Sequence, residues 1–135
     1  MWKRDPKIDR MKTSTTFARL GNRKLRALAQ YIDDVEMAAG TKLMTEGSFA
    51  YELLVIVEGA ADVVIGGQKV GEVGPGAVLG EMALLQKGKR TATVVTSTES
   101  KMLVMTGRTF NDLVEKHPEV AAELRSIAEE RAASN

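Results

Sequence analysis

No cysteine occurs anywhere in the 135 residues. That excludes a disulfide framework, thiol chemistry, and zinc or iron–sulfur sites held by cysteine. Histidine is almost as scarce, with His117 the single example. A histidine-rich metal site is thereby excluded, and a Ser-His-Asp triad would have to be built around that one residue. No apolar run approaches about 18 residues, so no membrane-spanning helix is expected. The charged N-terminus is not followed by the apolar stretch that a secretory signal needs. These absences favour a soluble cytoplasmic chain, and the lack of any nucleophile–base pair speaks against an enzyme.

What is present is one ordinary domain's worth of chain, 14.6 kDa and 44% hydrophobic, enough to bury a core unaided. The formal charge of +1 hides an asymmetry. Residues 1–30 carry nine basic and two acidic side chains, whereas residues 31–135 carry ten basic and sixteen acidic ones. Such a basic arm can touch an acidic partner, a phosphate backbone or anionic lipid, or can contact the acidic body of the protein itself. Residues 1–14 read as a mobile or adaptable arm, with Ile8 and Met11 its internal apolar residues. Residues 15–135 read as a single domain.

Phe17 and Leu20 suggest a short helix, and Asn22 an N-cap for a second one carrying Leu25, Leu28, Ala29 and Ile32. The period then changes. Val35, Met37 and Ala39 alternate with Asp34, Glu36 and Ala38, and Lys42-Leu43-Met44 is a short segment bounded by glycines. Leu53 to Val57 is a continuous apolar run of strand length, and Ala60 to Ile65 is followed by the hairpin signal Gly66-Gly67 and by Gln68 to Val73. Gly74-Pro75-Gly76 breaks the pattern, and strands resume over Thr91–Thr98 and Lys101–Thr106. The chain ends in helices, one with Phe110, Leu113 and Val114 on a face, and one opened by Pro118 with a stripe of Val120, Leu124, Ile127, Ala128 and Arg131. The fold class is therefore α+β: an antiparallel β jelly roll, or double-stranded β-helix, over about residues 34–106, flanked by N-terminal helices and by C-terminal helices over about 108–133. His117 reads as a surface or capping residue, and Met82, Met102 and Met105 as core filling.

The chemistry lies in residues 76–94, which interrupt the strands with helix formers. Glu81 to Leu85 can make about one helical turn, and Gly80 stands just before it. A helix start presents unpaired N–H groups and a positive dipole end, a ready seat for phosphate. Gly80 and the small Ala83 leave that surface open. Arg90, nine residues after Glu81, could close over an anion with two parallel bonds, and Thr91 could add a hydroxyl. A carboxylate beside a phosphate needs another group to serve, and a sugar hydroxyl is the natural one. The set asks for one phosphate, a nearby free hydroxyl and an apolar remainder, which a cyclic nucleotide supplies. Spacing alone also allows a structural salt bridge between Glu81 and Arg90 at the mouth of a barrel.

This stretch resembles the phosphate-binding cassette of cyclic-nucleotide-binding domains, as found in the catabolite activator family, in regulatory subunits of cyclic-AMP-dependent kinase and in cyclic-nucleotide-gated channels. The family pattern of Phe-Gly-Glu-hydrophobic-Ala-Leu, a loop, then Arg-Ser/Thr/Ala-Ala-Thr-Val stands here as Leu79-Gly80-Glu81-Met82-Ala83-Leu84 and Arg90-Thr91-Ala92-Thr93-Val94. The resemblance extends to Gly40–Gly47, Leu53–Gly59 and Gly74-Pro75-Gly76. It implies that Glu81 accepts the ribose 2′-OH, that backbone N–H groups around Met82 and Ala83 bind the cyclic phosphate, and that Arg90 neutralises it. Gly80, Thr91 and Ala92 complete that ligand set. Val63, Val78 and Leu79 would line sugar and base, and the last helix would act as a lid offering Leu124, Ile127 or Arg131. The sequence departs from the pattern where Leu79 replaces an aromatic, where Lys89 stands in place of a frequent proline, and where Ala50-Tyr51 replaces Gly-Asp.

The resemblance implies no catalysis, metal or cofactor, and a ligand that is cyclic AMP by preference. Cyclic GMP remains possible, because Thr91 could hydrogen-bond the 2-amino group of a syn guanine. The module would pass ligand occupancy through its last helix to an effector protein or to a second copy in a homodimer. A degenerate fold kept only for protein contact or dimerisation is the alternative, against which the intact Glu81 and Arg90 argue. The chain ends soon after the lid helix, which leaves no room for a helix-turn-helix, so DNA is not an expected partner.

Overall fold

The computed structural model describes residues 6–14, 16–49, 52–80 and 89–131. Helix α1 spans Pro6–Thr13, a 3-10 turn spans Ala18–Leu20, and α2 spans Gly21–Ala29. Eight strands follow: β1 Asp33–Met37, β2 Lys42–Met44, β3 Glu52–Glu58, β4 Ala61–Ile65, β5 Gln68–Val73, β6 Val78–Leu79, β7 Thr93–Thr96 and β8 Ser100–Thr106. Helices α3, Gly107–Lys116, and α4, Pro118–Arg131, end the described chain. The strands form two antiparallel four-stranded sheets, in the order β1-β8-β3-β6 and β2-β7-β4-β5. This is the expected jelly roll between helices.

The continuous apolar run of β3 has a direct cause. Leu53 and Val55 pack among the helices, while Leu54 and Ile56 pack between the sheets. Strand β8 divides likewise, Leu103 and Met105 on the helical side, Met102 and Val104 on the inner side. Strands β8, β3 and β6 of the first sheet thus form a middle layer buried on both faces, which requires near-continuous hydrophobicity rather than alternation, whereas edge strand β1 stays half-exposed. The Gly66-Gly67 pair turns the β4–β5 hairpin with φ of 58° and 80°, the double positive φ that a two-residue type I′ turn demands. Strand β5 is an edge. It carries a bulge, since Val63 faces Gly71 but Val64 faces Lys69, leaving Val70 extra. On that edge the Lys69 pKa is raised, chiefly by its hydrogen bond to Asp62, with Glu72 adding to the effect. A bulge and a lysine both discourage pairing with another chain.

Two expectations are corrected. From Pro6 on, the N-terminal arm is ordered as α1: Met11 is fully buried, the Lys7 ammonium donates to the Ile32 carbonyl at 2.9 Å, and Arg10 pairs with Asp34. Asn22 is not the cap of α2, because the helix begins one residue earlier, at Gly21, and Asn22 lies exposed within it. Pro118 does open α4, whose Val120, Ala121, Leu124, Ile127 and Ala128 are buried. His117 ends α3 and meets Tyr31 edge to face at 6.0 Å. Among the described residues no helix is long and apolar enough to cross a membrane.

Candidate phosphate-binding site

Strand β6 has only two residues, and it delivers the chain to Gly80 at one end of the roll. Gly80 is buried with φ of +75°, a region that L side chains enter at a cost of about 1–2 kcal/mol. A Cβ there would overlap the Glu52 carbonyl oxygen and come within 3.0 Å of the Arg90 guanidinium. Glycine is therefore required both by the backbone and by its neighbours. Residues 81–88, which include the expected ligands Glu81, Met82 and Ala83, lie outside the described residues.

The chain returns at Lys89, opposite Phe49 in an isolated antiparallel bridge. Arg90 follows, only 7% exposed. Its main chain is tied to the turn after β2, with its N–H donating to the Ser48 carbonyl at 2.6 Å and its carbonyl accepting from the Gly47 N–H at 2.9 Å. Its Nη2 donates to the Glu52 carbonyl at 2.9 Å. That bond sets the plane of the guanidinium, and the Gly80 gap gives the group its room. A recess of about 150 Å³ opens here, lined by Lys42, Thr45, Ser48, Phe49, Glu52 and Arg90 among others. Sequence reasoning named Gly80 and Arg90 and missed Ser48, Phe49 and Glu52. Their part is played largely by backbone atoms, which residue type does not advertise.

The remaining expected residues fall in three places. Ala92 is fully buried between the sheets, as are Leu79 and, at 6% exposure, Val63. Thr91 is exposed, in the bend that leads into β7, while its neighbours Arg90 and Ala92 are buried. Val78 packs on the helical side of the middle sheet, away from Leu79 and the roll interior, because successive strand residues alternate faces. Leu124 and Ile127 are 0% and 1% exposed in the same helical core. In this arrangement of α4 they belong to the cluster between the helices and the outer face of the middle sheet, not to the roll interior. The Arg131 side chain lies outside the described residues.

A larger recess, about 330 Å³, lies at the far end of β3, lined by Glu36, Glu58, Glu99 and Lys101. Size favours it, but its carboxylates repel an anion. A phosphate is better met at the smaller recess, by a guanidinium in a low-dielectric setting.

A family model described as "Cyclic nucleotide-binding domain" matches residues 34–117. A cyclic nucleotide-gated potassium channel of Rhizobium etli is 32% identical over 115 residues, covering 85% of this chain and 32% of the channel. The cAMP-dependent protein kinase regulatory subunit of Yarrowia lipolytica is 32% identical over 79 residues, covering 58% of this chain and 21% of that protein. The chain thus spans a third or less of the length of these relatives. Among solved structures, the N-terminal domain of a transcriptional regulator from Streptomyces coelicolor matches with TM-score 0.74 and 29% identity, over 91% of each chain.

Proposed function

We propose, from the premise that the chain belongs to the cyclic nucleotide-binding domain family, that it is a sensor module for a cyclic nucleotide, with cyclic AMP preferred over cyclic GMP. The observation that carries this reading is Arg90. It is buried, its backbone is clamped by residues 47 and 48, and its guanidinium is set on the Glu52 carbonyl beside a position that admits no side chain. An arginine oriented in advance can meet two phosphate oxygens with its planar guanidinium at lower entropic cost than a free one. In this reading Arg90 holds the cyclic phosphate together with N–H groups around Met82 and Ala83. Glu81 takes the ribose 2′-OH, Thr91 adds a contact to the phosphate, and Val63 and Leu79 form apolar wall for sugar and base.

The output in this reading is α4. The ligand draws it toward the roll, and the stripe now packed among helices becomes available to an effector or to a second copy. Isothermal titration with cyclic AMP and cyclic GMP tests the binding. Heat with either, strongest with cyclic AMP, is the expected result, and no heat with either at millimolar ligand would defeat it. Hydrogen exchange along α4 tests the output, and identical protection with and without ligand would defeat that part alone.

A further inference from the structure

Phe49 leaves 57% of its surface exposed. Single exposed apolar residues are ordinary, but this one is engaged by a particular neighbour. The Lys89 ammonium lies over its ring, 5.7 Å from the centroid, within the ~6 Å reach of a cation–π interaction. The two residues also oppose each other across the isolated bridge. The bond that ties that bridge runs from the Arg90 N–H to the Ser48 carbonyl, from the residue after Lys89 to the residue before Phe49. This makes 49 and 89 a non-hydrogen-bonded pair, the kind in which side chains approach most closely. The Lys89 N–H takes no part in the bridge.

We infer that Phe49 and Lys89 form a latch that fixes the Arg90 main chain before any ligand arrives, and that both are positioning residues for the phosphate site. The inference rests on the reading of Arg90 as the phosphate-binding arginine. Lys89 is the last residue before that arginine, and a lysine has no restraint of its own on φ. Proline at that place would supply one covalently. The latch supplies it through side chains, from ring to ammonium, one residue away from the bond between Arg90 and Ser48. Lys89 thus acts through Phe49. A lysine acting instead as a plain positive charge on the phosphate would be indifferent to the ring.

The test is a double-mutant cycle by isothermal titration with cyclic AMP, at fixed ionic strength, on wild type, Phe49→Leu, Lys89→Gln and the double variant. In parallel, NMR follows amide exchange of the Arg90 N–H in the ligand-free proteins. Each single variant should bind about two- to fivefold more weakly, and the double variant no more weakly than either single. The Arg90 amide should exchange faster by a similar factor in Phe49→Leu. Phe49→Tyr, which keeps the ring, should match wild type. Lys89→Pro in the Phe49→Leu background should restore both affinity and slow exchange, since no bridge bond depends on the N–H of residue 89. Additive losses in the cycle would assign Lys89 to the phosphate directly and overturn the latch. Unaltered Arg90 exchange in Phe49→Leu would overturn it as well. If wild type binds no cyclic nucleotide, the reading of the site falls, and the exchange measurement still decides the latch.

Discussion

A methyl group at residue 80 would press on both the Glu52 carbonyl and the guanidinium that this carbonyl orients. Gly80→Ala should therefore lower stability by about 2 kcal/mol or more, because the positive φ alone costs about 1–2 kcal/mol and the overlap adds to it. It should also weaken ligand binding in the fraction that stays folded; denaturant melts with parallel titrations separate the two losses. In the proposed site Arg90→Ala would remove charge-assisted bonds worth about 1.5–3 kcal/mol each, so cyclic AMP affinity should fall roughly tenfold to several-hundredfold. Arg90→Lys should recover little of this, because an ammonium cannot reproduce the planar fork. Affinity unchanged in both variants would show that the phosphate sits elsewhere. Glu81→Ala and a 2′-deoxy ligand should each weaken binding, and together should cost little more than either alone. Full additivity would separate that carboxylate from the ribose.

At the scale of elements, the apolar run of β3 was legible because a strand buried on both faces has only one kind of sequence available to it. Leu53 to Val57 could hardly read otherwise. Gly66-Gly67 was legible for a stereochemical reason, as few residues tolerate two successive positive φ values. Helix α1 was not legible. It has eight residues and offers Ile8 and Met11 as its apolar positions, too few to establish a period, and its charges suggested a solvated arm. The signals that could have revealed it are Asp5-Pro6, an N-cap type followed by proline at the first helical position, and the three-residue spacing of Ile8 and Met11. At the candidate site Gly80 and Arg90 were legible as motif residues, and the structure packs one against the other, while the turn that clamps Arg90 was not legible, because it works through the carbonyl of Ser48 and the N–H of Gly47. The docking of α1 has a measurable consequence. Met11→Ala should cost about 2–5 kcal/mol in a denaturant melt, as expected for a fully buried methionine. A loss under about 0.5 kcal/mol would mean that α1 is not held by its buried face.

At the scale of the molecule, the charge asymmetry finds a use within the fold. The basic N-terminal segment reaches the acidic remainder through Arg10 with Asp34, Arg19 with Glu130 at 2.7 Å and Lys24 with Glu123 at 2.6 Å. The last two fasten α4 to the helices before the roll. Arg19 and Glu130 are each more than half exposed, whereas Lys24 and Glu123 are about one third exposed, so the second pair is the less screened by water and salt. If α4 leaves these helices when ligand binds, the pairs oppose binding, and weakening them must raise affinity by linkage. Glu123→Lys should therefore increase cyclic AMP affinity by up to about fivefold, since an exposed pair is worth up to about 1 kcal/mol. It should also speed amide exchange along α4 in the ligand-free protein. Lys24→Glu alone should do the same, and the charge-swapped double variant should return both readouts toward wild type. The effect should shrink at high salt. Faster exchange with no gain in affinity would leave α4 loosely held but uncoupled to the ligand, and the output would then have to be sought on another face of the roll.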